Sequence, residues 1–401
     1  MNKLAYTTSN WLKQAFQGNK GWGAAWRSPK PQAEYDVIIV GGGGHGLATA
    51  YYLAKKHGVK RIALLEKGWL GGGNTGRNTT AIRSNYFYHP SVELYDLSVR
   101  LYESLSRDIG YNVMFSQRGM VVLAHSEPEM EMAARQVNAM QLNGVDAELF
   151  DAKDVQRVAP LLNFRDDARF PIHGGTWQAR AGTARHDAVA WGYARAADSL
   201  GVDIIQNCAV EDFLIEGGQC KGVITVQGTI RADRVGVAVA GHSTELAAKA
   251  GFELPLHSYA LQAFVSEPLK PIIDTVAFSP SYGIYFSQSD KGGLVIGGGL
   301  DRVPSYGQRG NTPLQDQVLG GLVEFAPVLA QVKLLRHWGG IVDVSPDSSP
   351  LIGPSPVPGL YVNCGWGTGG FKAIPAGGFL FAHLLANDQH HSVSRPFDLD
   401  R

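Results

Sequence analysis

The sequence predicts an α/β fold with a second domain of α+β type, each domain assembled from separated pieces of the chain. Three observations carry this. A β-α-β unit opens with YDVIIV, GGGGHG, LATAYYLAKKHG and RIALLEK, residues 35–67. A strand-rich block with turns at EGGQ and QG fills residues 206–241, and the chain from Leu254 to Val303 is again mostly strand. Glycine-rich turns then return near the C-terminus in SSPLIG and in NCGWGTGGFKAIPAGG, the latter opening a helix. Alternating elements followed by runs of strand point to a parallel sheet and a mixed sheet, each flanked by helices.

The elements follow in chain order. Residues 1–32 form an N-terminal arm rich in aromatics (Tyr6, Trp11, Phe16, Trp22, Trp26), read either as a loose tail or as an arm packing on its own body or on another subunit. SPKPQAEYD, residues 28–36, ends it. YDVIIV is a β-branched run of the kind buried on both sheet faces, and LATAYYLAKKHG has helical spacing with a terminal glycine. Helices are expected at PSVELYDLSVRLYESLSRDIG, MEMAARQVNAMQLNG, DAKDVQRVAP, HDAVAWGYARAADSLG, PLQDQVLGGLVEFAP and PAGGFLFAHLLAN, with a strand at RGMVVLAH. The expected partition places residues 33–110, 171–250 and 335–401 in a dinucleotide-binding domain. Residues 111–170 and 251–334 fall in a substrate domain.

Composition limits the function. Lys plus Arg and Asp plus Glu are both 36 in 401 residues, so no basic footprint exists for nucleic acid. No run approaches the roughly 20 apolar residues of a membrane span. Three scattered cysteines read as reduced thiols of a cytoplasmic protein, and no cluster has metal-ligand spacing. The low charged fraction, 18%, fits a large core or a surface covered by other subunits.

Gly41, Gly43 and Gly46 satisfy G-x-G-x-x-G between a strand and a helix, and Glu66 ends the next strand twenty residues on. That context makes a Rossmann-like dinucleotide site: a tight turn, close approach to a pyrophosphate, helix–strand packing, and a carboxylate for the adenosine ribose. The chain then enters LGGGNTGRNTTAIRSNY instead of further parallel units, and DRVGVAVAGHST ends a later strand in small residues. Such loops suit FAD better than NAD. The expected FAD-binding residues are Gly41, Gly43, Gly44, His45 and Gly46, then Glu66, Lys67, Asn74, Thr75, Arg77, Asn78 and Thr79. Val210, Gly241, Gly365, Gly367, Thr368, Gly369, Gly370 and Lys372 complete the set. Arg77 either screens the pyrophosphate or braces its loop, and His45 either lines the cofactor or is structural. His186 reads as a helix-start residue. His242 and His257 are candidates to face the substrate cavity.

DVIIVGGGGHGLATAYYLA, LLEKGWLGGGNTGRNT, FPIHGGTWQARAGTARHD and SSPLIGPSPVPGLYVNCGWGTGGFK together resemble the flavin amine oxidases of the D-amino-acid-oxidase and sarcosine-oxidase superfamily. Within it they are similar to the β subunits of heterotetrameric sarcosine oxidases, from about Tyr35 to the C-terminus. The resemblance implies oxidative demethylation of sarcosine at noncovalent FAD, giving glycine and a one-carbon unit released as formaldehyde or passed to tetrahydrofolate. It implies a covalent FMN on a histidine, here His173 in FPIHGGTW, where O2 is reduced to peroxide. Arg180 and Arg185 are candidates for the FMN phosphate. It further implies α, γ and δ partner subunits, with NAD and tetrahydrofolate on α. Arg83, in AIRSNY, and Lys372, in GGFK, match the family's carboxylate-binding pair, which would aim the substrate's N-methyl group at the flavin.

Two departures are informative. Single-flavin relatives place an oxygen-activating lysine in a G-L-K strand, where GGLVIGGG carries Val295, and a flavin-tethering cysteine where GGIVDVSPD carries Asp343. Both changes imply noncovalent FAD whose electrons leave for a second acceptor. The competing reading is a single-FAD amino-acid dehydrogenase (D-amino acid, dimethylglycine or proline type) that passes electrons to a quinone or carrier. A flavoprotein without its own substrate site has no need of Arg83 and Lys372.

Overall fold

The computed structural model describes residues 7–18, 20, 23–301 and 303–401. At its centre the apolar run Glu34–Val40 forms a strand parallel to Ile62–Leu65 on one side and to Gly228–Val237 on the other. Ile38 and Ile39 are fully buried on opposite faces of it, as a two-sided apolar strand requires. Asp203–Ile205 extends the sheet beyond Ile62–Leu65. The ten-residue strand Gly228–Val237 serves two neighbours along one edge. Its first part pairs with Gln219–Thr225, and its last part, Val235 to Val237, pairs in parallel with Leu360–Cys364. This second pairing brings the C-terminal glycine turns beside the N-terminal phosphate loop.

Helix Gly44–His57 follows the phosphate loop and packs on helix Ile374–Asn387. A Cβ on Gly378 would lie 2.4 Å from the Ala48 Cβ, so the two helices meet at glycine distance. Gly58, at φ +67°, ends the first helix in a left-handed cap, as its sequence position predicts.

A second sheet of eight strands has the order 334–344, 257–268, 293–300, 284–288, 276–279, 120–124, 174–178, 147–151. All its pairs are antiparallel except Val276–Ser279 with Met120–Ala124. Helix Thr312–Phe325 covers one face through Val318, Leu322 and Phe325. A three-stranded ribbon of Ala81–Ile82, Gly182–Thr183 and Ser116–Gln117 joins the two bodies. Two expected boundaries shift: Gly174–Gln178 and Leu334–Val344 belong to the second sheet, whereas the sequence pattern places residues 171–250 and 335–401 with the first. Strand character is local, but choice of sheet is set by distant partners such as Met120–Ala124 and His257–Pro268.

The N-terminal arm divides in two. Helix Thr8–Phe16, capped by Thr7, buries no side chain, and Trp11 and Phe16 are 68% and 90% exposed. Trp26 instead packs on the first core, and the Arg27 guanidinium donates to Asp198 at 2.8 Å and to the Val202 carbonyl. Tyr6 and Trp22 lie outside the described residues. Among the described residues, no helix is long and apolar enough to cross a membrane.

Candidate active site

The phosphate loop is shaped by steric necessity. A Cβ at Gly41, whose φ is +112°, would strike the Ala238 carbonyl oxygen at 2.4 Å, and one at Gly46 would strike the Gly41 carbonyl oxygen at 1.9 Å. Gly44 packs against Ile374, while Gly43 is the helix N-cap and has only Thr75 Oγ1 near its missing Cβ, at 3.3 Å. The Gly44 amide donates to that hydroxyl at 2.9 Å. Glu66, just past its strand, accepts from the Gly42 and Gly68 amides, both at 2.8 Å. Its carboxylate is thereby fixed, with lone pairs left for a ribose.

Loop 74–79 is tied to the second sheet. The Asn74 side chain accepts from the Ile341 amide at 2.8 Å and donates to the same residue's carbonyl. Trp338 Nε1 donates to the Arg77 carbonyl at 2.8 Å. The Arg77 guanidinium itself turns back to the Gly72 and Gly73 carbonyls, so it braces this loop. Asn78 accepts from the Thr80 amide, and Thr79 shares a 2.6 Å hydrogen bond with Tyr285.

Between the two sheets lies a cavity of about 910 Å³, walled by Gly41, Gly43, Gly44, His45, Glu66 and Lys67 at one side. Asn74, Thr75, Arg77, Asn78, Thr79, Val210 and Gly241 also line it, and Gly367, Thr368, Gly370, Arg83 and Lys372 close the other part. Gly367 has nothing nearer its missing Cβ than the Asp343 carbonyl oxygen at 3.9 Å, which leaves room for a flat ring. An elongated cavity with a helix N-terminus, a fixed carboxylate and an open glycine wall fits a flavin dinucleotide.

Arg83 and Lys372, 289 positions apart in sequence, meet at this cavity. Lys372 is 7% exposed, and its ammonium donates to the Thr368 carbonyl at 3.1 Å. Burial pushes its amine down to about 8. Helix His89–Asp108 positions this turn with a polar stripe. Ser98 donates to the Lys372 carbonyl and Tyr102 to the Phe371 carbonyl, both at 2.7 Å, while the Tyr95 hydroxyl occupies the space a Gly369 Cβ would need. The stripe Tyr95, Ser98, Tyr102 follows helical spacing. Tyr86, stacked on Tyr95 with centroids 4.0 Å apart, carries the Arg83 guanidinium 4.6 Å from its ring centre.

Two buried groups organise the rest. Asp343 accepts from the Gly365 amide at 2.6 Å and is pushed up to about 6 by burial. It shapes the turn that begins at Gly365, whose φ is +70°. His45 donates from Nε2 to the Gly370 carbonyl at 2.8 Å and packs on Trp366; burial pushes it down to about 4, so it is a neutral strut between the two glycine loops.

Other expected residues lie elsewhere. Gly46, Gly365 and Gly369 act behind the wall through packing and hydrogen bonding. His242 lines the cavity and stacks on Tyr306, whereas His257 is exposed at a strand start and His186 begins helix His186–Ser199. Val295 shares a sheet face with Gly297, opposite Tyr285, one step beyond the lining. His173 stands on the surface, its Nδ1 3.2 Å from Glu127. It directly precedes strand Gly174–Gln178, and Arg180 follows the other end, about 13 Å or more away at strand rise. Arg180 is held by Glu103 at 2.9 Å and Asp96 at 3.3 Å, and Arg185 by Asp187. Both arginines expected near an FMN phosphate are thus paired with carboxylates of this chain. Their nearness in sequence to His173 hid the intervening strand. Sequence reasoning also missed Tyr86, Tyr95 and Tyr285; for Tyr95 the available signal was a run of hydroxyls at helical spacing, whereas Tyr86 in a loop and Tyr285 in a strand carried none.

Over 97% of this chain and 94% of the relative, the sequence is 53% identical to the sarcosine oxidase subunit beta of Rhodobacter capsulatus. It is 52% identical to that of Rhizobium meliloti, over 99% and 95%. Residues 36–384 match the FAD dependent oxidoreductase family. The chain belongs to this family of flavoenzymes. The fold is similar to that of L-proline dehydrogenase from P. horikoshii, with a TM-score of 0.86 at 27% identity, covering 92% of this chain and 97% of that one. FAD is therefore the dinucleotide for which the cavity is built, and the chain acts as an FAD-dependent amine oxidoreductase.

Proposed function

We propose that this chain is the β subunit of a two-flavin sarcosine oxidase in which Arg83 and Lys372 bind the substrate carboxylate. The observation that carries this reading is the convergence of those two cations on the FAD cavity. A guanidinium and an ammonium on one wall suit an amino-acid carboxylate and fix the direction of its N-methyl group. Arg83 supplies two parallel N–H donors, and Lys372 a point charge in a partly dehydrated setting, where its attraction is stronger than in water. Tyr285, held by Thr79, presents a phenol on the same cavity. Bound FAD supplies the acceptor for two electrons and a hydrogen from the N-methyl carbon; water then releases the one-carbon unit and glycine.

FAD would be held without a covalent bond: Asp343 stands where tethered relatives have cysteine, and no thiolate can form the link there. The electrons would pass to FMN attached at His173 and then to O2, giving H2O2. The imidazole of His173 is exposed just before a buried strand, where a flat ring can reach it from outside the chain. The relatives' designation as subunits supports a multi-subunit assembly, here with α, γ and δ chains, α providing NAD and tetrahydrofolate sites, in the cytoplasm. The test is flavin content. After denaturation and filtration, FMN should stay with the polypeptide while FAD is released, and sarcosine should bleach the FAD absorbance anaerobically. A wholly filterable flavin pool would favour the single-FAD dehydrogenase instead.

A further inference from the structure

The cavity wall includes Arg83 and Lys372 but not the side chain that touches both, Tyr86. Its hydroxyl lies 3.4 Å from Lys372 Nζ, and its ring centre 6.0 Å from that nitrogen. The Arg83 guanidinium lies over the ring at 4.6 Å. Tyr95 stacks on the same ring at 4.0 Å and 13°, so Arg83 takes the opposite face. Tyr95 in turn abuts Gly369 of the Lys372 turn, and Arg83 is further held by Asn85 at 2.6 Å.

Two cations side by side repel, and both would swing outward if nothing electron-rich lay between them. A phenol meets that need: its π face attracts the guanidinium, and its hydroxyl oxygen accepts from the ammonium. Burial, the largest single influence, would raise the phenol's pKa, yet the charges of Arg83 and Lys372 together with hydrogen bonds to Tyr95 and Lys372 bring it below the ordinary tyrosine value. We infer that Tyr86 is a positioning residue that holds Arg83 and Lys372 at the separation one substrate carboxylate spans. The inference rests on the reading of those two residues as the carboxylate clamp.

The test compares Tyr86→Phe, which keeps the ring and its stack, with Lys372→Met and with the double variant, each in the FAD-loaded assembly. Acetate, a carboxylate with no oxidisable amine, is titrated against the FAD absorbance, and sarcosine turnover is measured alongside. Tyr86→Phe should weaken acetate by up to about 10- to 150-fold, the loss of one hydrogen bond to a charged group, and raise KM with kcat within about twofold. In the Lys372→Met background the same change should have almost no further effect, because the hydroxyl acts through that ammonium. An equal loss in both backgrounds, or none in the single variant, would overturn the assignment. If Lys372→Met itself leaves acetate affinity unchanged, the clamp reading fails instead. The pH dependence gives a second readout. Lys372 faces Arg83 and Tyr86 from their loop, Tyr95 from the helix and the Thr368 carbonyl from its own turn. Without the hydroxyl, the alkaline fall in acetate affinity should begin at lower pH; an unmoved profile counts against the inference.

Discussion

The proposed carboxylate clamp and the His173 loop are built on opposite terms. Lys372 is almost wholly buried, its turn is fastened by Ser98, Tyr102 and Tyr95, and its partner Arg83 comes from a separate loop. His173 is exposed, and Glu127, its ion-pair partner, has a side chain 83% exposed, a surface pair of little energetic worth. One site is finished within the chain. A cofactor attached at the other would take its remaining walls from another chain.

Four experiments break or sharpen this contrast. His173→Asn should abolish covalent flavin completely, read as flavin fluorescence on the denatured polypeptide, while FAD binding and anaerobic FAD reduction by sarcosine survive. Loss of FAD as well would mean that the two regions are not independent. Arg83→Lys should cut kcat/KM about 10- to 150-fold, since a single ammonium replaces a two-pronged grip; covalent flavin should be unchanged. The third test is pH. In the free enzyme Lys372 loses its proton as pH rises through about 8, so acetate affinity should be full below that value and fall above it, by at most tenfold per unit, with Arg83 setting a floor. A flat profile from pH 7 to 9.5 would show that Lys372 stays charged. The smallest effect is expected at the surface: Glu127→Gln should shift stability by less than about 0.5 kcal/mol in denaturant unfolding and leave the FAD site untouched.

The same contrast explains what could be read from residues alone. The β-α-β unit was legible because its glycines answer short-range clashes, such as Gly46 against the Gly41 carbonyl, and because Glu66 lies a fixed distance along the chain. Arg83 and Lys372 could be placed in glycine-rich loops, but their convergence depends on Leu360–Cys364 pairing with Gly228–Val237, which leaves no local trace. The same holds for Gly174–Gln178, whose sheet is chosen by partners far away in sequence. The strand between His173 and Arg180, and the carboxylates paired with Arg180 and Arg185, are likewise set by contacts that nearness along the chain does not reveal. The sequence carried no expectation for Tyr86 or Tyr95; their stacking on each other, the Arg83 guanidinium over Tyr86 and the Tyr86 hydroxyl beside Lys372 become visible only in three dimensions.

Helix His89–Asp108 never lines the cavity, yet it grips the Lys372 turn at three points and begins just after the Arg83 loop. One short stretch, Tyr95 to Tyr102, thus holds the Lys372 turn and, through the stack of Tyr95 on Tyr86, backs the ring that carries Arg83. In the proposed clamp, a change on that stretch would shift both cations together without exchanging either. A search for altered substrate choice should begin on its buried stripe, at residues that no substrate touches.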